Sequence, residues 1–87
     1  MILGYWNYPG RAQHIRLLLA YSRIPFTEKV YDTANPDEWY QQDKKMMGMD
    51  FPNLPYLIDG DYKISESQNI INYIGHLIKE IVPNSEL

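Results

Sequence analysis

Eighty-seven residues carrying eight Lys and Arg against eleven Asp and Glu, a net charge of −3, make one small domain without the basic excess that nucleic acid or an anionic membrane surface recruits. The absence of cysteine excludes a disulfide scaffold, a thiolate metal site and a Cys-x-x-Cys redox centre. With no charged-then-apolar leader and no apolar run of about 18 residues, no secretory signal or membrane span is read, and the expected location is cytoplasmic.

Met1 to Trp6 is a short apolar run with aromatics that ends at Asn7-Tyr8-Pro9-Gly10, which reads as a strand followed by a loop. From Arg11 to Arg23 the spacing predicts a helix, with Ile15, Leu18, Leu19 and Ser22 on one side and Ala12 and Leu17 flanking it. Ile24-Pro25 ends that helix, and the alternation from Phe26 to Tyr31 predicts a second strand with one exposed face, hence at an edge. Asn35-Pro36-Asp37-Glu38 supplies a cap residue, a proline and an acidic first turn, so a short polar helix is expected from Pro36 to about Lys45. Asp59-Gly60 is a hairpin signal between strands at Tyr56 to Asp59 and Tyr62 to Ser65. Ser65-Glu66-Ser67-Gln68 then has capping-box spacing, and Ile70, Ile71, Ile74, Leu77, Ile78 and Ile81 form one apolar stripe down a helix that Pro83 closes. The order βαβαββα needs a parallel pair with a crossover helix as well as an antiparallel hairpin. It predicts a thioredoxin-like α/β fold, a four-stranded mixed sheet with helices on both faces.

The stretch Asp50-Phe51-Pro52-Asn53-Leu54-Pro55-Tyr56 places two prolines around Asn-Leu just before an apolar strand. A proline there cannot donate to the sheet, and Leu54-Pro55 is a candidate cis-proline bond. A cis bond would turn the Leu54 backbone outward, leaving its N–H and C=O to pair strand-fashion with an extended peptide ligand. The alternative is an ordinary loop with two prolines.

Ile2-Leu3-Gly4-Tyr5-Trp6, Gly10-Arg11-Ala12, Ile15 to Leu19, Phe51 to Gly60, and Ser67 with Ile70, Tyr73 and Ile74 together resemble the N-terminal domain of a cytosolic glutathione S-transferase, with the mu class nearest. Gly10-Arg11-Ala12 is instead similar to sigma-type members. The likeness covers nearly the whole chain and implies a glutathione-binding domain over residues 1–82, with 83–87 starting a linker to a helical domain that this chain lacks. Glutathione enters as co-substrate, and no metal is expected.

The resemblance assigns Tyr5 the catalytic role. A free thiol has a pKa of about 8.5, so a transferase must favour the thiolate near neutral pH, and a tyrosine hydroxyl at the end of the first strand can donate to the sulfur. From the residues alone, the preferred reading of Tyr5 is one of eight tyrosines filling a core edge. Tyr8 is the weaker candidate. For the γ-glutamyl end the resemblance implies Ser67, in the first turn of the last helix, and Glu66, which stands where the mu class has glutamine and could face the ammonium. The structural alternative for both is helix capping. Leu54 and Pro55 would serve the cysteinyl part, with Asn53 supporting the loop. Trp39 and Lys44 resemble the pair that holds the glycyl end; counted back from Phe51, Lys44 falls in place while Trp39 is one residue early, with Tyr40 in its position. Arg11 aligns with an arginine near glutathione in several classes, and Trp6 either lines the site or packs.

The helical domain of such transferases walls the electrophile site and makes much of the dimer contact, so little activity is expected of the isolated chain. A second reading is a free-standing, non-catalytic domain serving as a structural or adaptor subunit. In it a protein partner covers the exposed helix face, with Ile81, Val82 and Leu87 as the residues to inspect. A homodimer is a further possibility. A third reading, a glutaredoxin-like oxidoreductase, is nearly ruled out by the absence of cysteine.

Overall fold

A computed structural model describes residues 1–81. Val82, Leu87 and the linker expected over 83–87 lie outside the described residues, as does the Ile81 side chain. The strands are β1 Ile2–Trp6, β2 Thr27–Tyr31, β3 Tyr56–Asp59 and β4 Tyr62–Ser65, and the helices are α1 Gln13–Tyr21, α2 Lys44–Met46 and α3 Ser67–Ile81. They form one four-stranded sheet in the order β2-β1-β3-β4. β1 pairs parallel with β2 and antiparallel with β3, and β3 pairs antiparallel with β4. This is the mixed, thioredoxin-like plan that the order of elements predicts, with β2 at an edge.

Period-2 alternation divides the core between the two faces of the sheet. On one side Leu3 of β1 and Leu57 of β3 are cross-strand partners, and the α1–α3 pair supplies Ile15, Leu19, Ile70, Ile74 and Ile78, all buried. The buried positions of α3 recur every four residues, the spacing of one helix face. On the other side Gly4 is paired with Tyr56. A Cβ on Gly4 would lie 2.2 Å from the Tyr56 ring, so glycine is what lets that ring lie flat against β1. Trp39 stacks on Tyr56 at 5.7 Å and meets Tyr31 edge-on at 5.5 Å.

A chain of buried hydroxyls runs through these aromatics. Tyr31 donates to Asp43 Oδ2 at 2.5 Å, and the Tyr31 and Tyr56 hydroxyls are 2.8 Å apart. A carboxylate only accepts, so the single Tyr31 proton points at Asp43 and Tyr56 is the donor to Tyr31. Burial first, and the Asp43 bond second, push the Tyr31 phenol far above its ordinary range.

The structure differs from four local expectations. The segment around Trp39 is a π-helical turn over Glu38–Asp43 followed by the short α2, and Asn35 does not cap it: Trp39 N–H and Tyr40 N–H both bond Pro36 O. The hairpin turn is Gly60-Asp61, one residue later than the Asp59-Gly60 signal, because Asp59 still pairs with Tyr62. The capping box does not form, since Ser65 belongs to β4 and its hydroxyl donates to Phe51 O at 3.0 Å. At the end of α1, Ile24 N–H bonds Leu19 O and Arg23 N–H bonds Ala20 O, with Arg23 at φ 57. That is a Schellman stop with arginine in the left-handed position that glycine usually fills. Pro25 is therefore not the terminator.

Two outcomes follow for chemical denaturation. Arg23→Gly relieves a left-handed side chain worth about 1 kcal/mol and is offset by added freedom of the unfolded chain, so the net gain is roughly 0.5 kcal/mol; a lower urea midpoint would contradict the stop. Tyr31→Phe leaves the Tyr56 proton and Asp43 without their buried partner and lowers stability by about 1–3 kcal/mol. An unchanged midpoint would mean that water replaces the Tyr31 hydroxyl.

Candidate functional site

Tyr5 lies on β1 one residue before its end, and its side chain reaches under the short 3-10 turn Gly10–Ala12 that opens α1. The residue is only 5% exposed. Its hydroxyl oxygen accepts the Arg11 backbone N–H at 3.1 Å, so the donor comes from the helix start itself. Gly10, at φ +41, makes this possible: a Cβ there would lie 2.4 Å from the Tyr5 oxygen. The remaining neighbour is Tyr8, whose ring meets Tyr5 edge-on at 5.4 Å and whose hydroxyl is 3.5 Å away. With one lone pair of Tyr5 engaged by the Arg11 N–H, its proton goes to the Tyr8 hydroxyl at the long limit of a hydrogen bond and can turn to a stronger acceptor.

Arg11 also borders a recess of about 150 Å³ formed with Asn53, Leu54, Pro55, Glu66, Ser67 and Gln68. Of the ten residues expected to bind or react, six therefore converge here, and Arg11 links them to Tyr5. The Leu54-Pro55 peptide bond is cis. Contrary to the expectation from the sequence, the Leu54 N–H is not free: it donates to Asn53 Oδ1 at 2.9 Å. Asn53 thus holds in place the donor that a ligand would take. Pro55 O accepts the Glu66 N–H at 3.2 Å, which ties the proline segment to the start of α3.

Glu66 stands at φ 73, a left-handed conformation rare for a side chain of this size, and its carboxylate is exposed. The first helical bond of α3 runs from Ile70 N–H to Glu66 O, so the N–H groups of Ser67 and Gln68 precede the intrahelical ladder and face outward with the positive end of the helix dipole. The recess therefore presents a cation, an anion and backbone donors within one small volume. Gln68 as a lining residue was not singled out by sequence reasoning, which used it as a capping partner; its place in the first turn was the available signal.

The other end of the site departs further from expectation. Trp39 is 1% exposed, its ring held between Tyr56 and Tyr31, so it has no face to offer a ligand. The aromatic surface belongs to Tyr40, which is 47% exposed, tilted against half-buried Trp6 at 5.8 Å, and has the Lys44 ammonium 5.5 Å from its ring centre. The π turn accounts for the spacing. Lys44 N–H bonds Trp39 O, a five-residue step that takes one more residue than an α turn, so the extra residue between Trp39 and Lys44 is absorbed locally. His14 and His76 are exposed, and among the described residues no group of three His, Cys, Asp or Glu side chains could hold a metal ion.

Comparison with known proteins places the chain in a family. Residues 1–76 match the family model described as glutathione S-transferase, N-terminal domain. The chain is 49% identical over 80 residues to human glutathione S-transferase Mu 2, covering 86% of this chain and 36% of that protein. It is 48% identical over 83 residues to a glutathione S-transferase of Dermatophagoides pteronyssinus, covering 90% and 37%. The crystal structure of the glutathione S-transferase Blo t 8 superimposes with a TM-score of 0.81 at 42% identity, over 88% of this chain and 35% of that one. The chain spans about a third of the length of these relatives. It belongs to the glutathione S-transferase N-terminal domain family.

Proposed function

We propose that this chain is the glutathione-binding part of a glutathione S-transferase and that Tyr5 stabilises the glutathione thiolate for attack on an electrophile. The observation that carries this reading is the double role of Arg11: its residue borders the recess, and its N–H occupies the oxygen of Tyr5. A ligand with its head group in the recess is thus adjacent, through Arg11, to the loop that meets the Tyr5 hydroxyl.

The ligand chemistry fits the donors. A γ-glutamyl head is a zwitterion; its carboxylate suits the N–H groups of Ser67 and Gln68 and the Arg11 guanidinium, while its ammonium suits Glu66. A recess of 150 Å³ is below the roughly 300 Å³ of sites that enclose a whole small molecule, so it takes the head group and the rest lies across the surface. The cysteinyl part exchanges with Asn53 Oδ1 for the Leu54 N–H, a swap of one acceptor for another with little net cost. The glycyl carboxylate extends towards Lys44, where Trp6 and Tyr40 supply the apolar border and Trp39 supports them from beneath.

The electrophile site and the partners belong to the same proposal. A groove of about 400 Å³ between α1 and α3, lined by Leu18, Ile71, Gly75 and Ile78 among others, is the surface that a helical domain would cover. Such a domain walls the electrophile site and joins subunits into a homodimer. Among the described residues no helix is long and apolar enough to cross a membrane, and the cytoplasm is the compartment we assign.

The test is a glutathione titration of the 87-residue chain, followed by Trp fluorescence and by the ultraviolet absorbance of the bound thiolate. Saturable binding with a thiolate signal at pH 7 is expected. In Tyr5→Phe the binding persists while the thiolate fraction falls about tenfold, equivalent to one pH unit in the thiol titration. Binding with no thiolate in the unsubstituted chain would overturn the role of Tyr5, and no binding would overturn the reading itself.

A further inference from the structure

The Tyr8 hydroxyl stands beside Tyr5 with no part in the recess at the head of α3. It lies 3.5 Å from the Tyr5 hydroxyl, across an edge-to-face ring contact of 5.4 Å. Tyr8 is 48% exposed where Tyr5 is 5% exposed, so of the two hydroxyls it is the one on the solvent side. Gly10 fixes both rings at once, since a Cβ there would lie 2.4 Å from the Tyr5 oxygen and 2.7 Å from the Tyr8 ring. The pair is therefore set by the backbone of one loop.

We infer that Tyr8 is a second hydroxyl donor to the glutathione sulfur, so that Tyr5 and Tyr8 together hold the thiolate; this rests on the glutathione-binding reading. Two oxygens 3.5 Å apart can both reach one sulfur atom at ordinary hydrogen-bond distance, with the sulfur at the apex of a nearly equilateral triangle. The bond between the hydroxyls is at the long limit, so turning both protons to an anion gives up little. A thiolate that accepts two hydroxyl donors is favoured over the thiol more than with one.

Tyr8→Phe keeps the ring and removes only the hydroxyl. The bound glutathione thiol would be titrated by thiolate absorbance in the unsubstituted chain, Tyr8→Phe, Tyr5→Phe and the double variant, with S-methyl glutathione binding measured alongside. The expected result is a several-fold loss of thiolate at pH 7 in Tyr8→Phe, a further loss in the double variant beyond Tyr5→Phe, and unchanged affinity for S-methyl glutathione, which has no thiol to ionise. An unchanged thiol titration in Tyr8→Phe, beside a normal thiolate in the unsubstituted chain, would overturn the role of Tyr8 and leave that of Tyr5 standing. Equal losses for glutathione and S-methyl glutathione would make Tyr8 a packing residue and overturn the inference as well. Absence of glutathione binding in the unsubstituted chain would remove the reading on which it rests and the inference with it.

Discussion

The hydrogen bond from the Arg11 N–H to the Tyr5 hydroxyl is the point on which the rest depends. It joins the end of β1 to the start of α1 and orients a phenol that is otherwise enclosed. It also decides which part of that phenol is available, because an oxygen already accepting a backbone donor has its proton left to give. Gly10 is a condition of this contact, since any side chain there would occupy the space of the Tyr5 oxygen. The same Arg11 borders the recess at the head of α3, so one loop serves both the candidate nucleophile site and the candidate head-group site.

The opposite face of the sheet fixes the other wall. Tyr56 is the first residue of β3 and follows Pro55 directly, so whatever holds Tyr56 also holds the Leu54-Pro55 segment. It is held by the flat approach to Gly4, by the stack with Trp39 and by its donation to Tyr31. Asp43, at the end of the π turn, closes that chain, which places Lys44 immediately after a residue anchored to the buried Tyr31. Three segments distant in sequence are thus registered against one another by buried hydroxyls, and a small domain gains rigidity where the site needs it.

The strands, the order of elements and the apolar faces of α1 and α3 were legible because period-2 and period-3.6 patterns depend on burial, and burial here follows the pattern. What was not legible depended on partners far along the chain. Ser65 resembles a cap, yet its hydroxyl goes to Phe51 O across the loop. Trp39 resembles a ligand-facing aromatic, yet Tyr31 and Tyr56 claim its ring, and only the π turn reveals how the one-residue offset is absorbed. Arg23 in a left-handed stop carries no sequence signal, because the residue usually found there is glycine. Of the candidate site, the recess residues were legible through family resemblance; the Arg11 N–H on Tyr5 was not, since a backbone donor leaves no mark on residue identity.

The most direct measurement is a two-dimensional 1H–15N spectrum of the chain titrated with glutathione. The Arg11, Leu54 and Ser67 amides are expected to shift together along one saturation curve, with Leu54 moving as its N–H leaves Asn53. Amides that stay in place, or that titrate with separate affinities, would contradict a single site joined through Arg11.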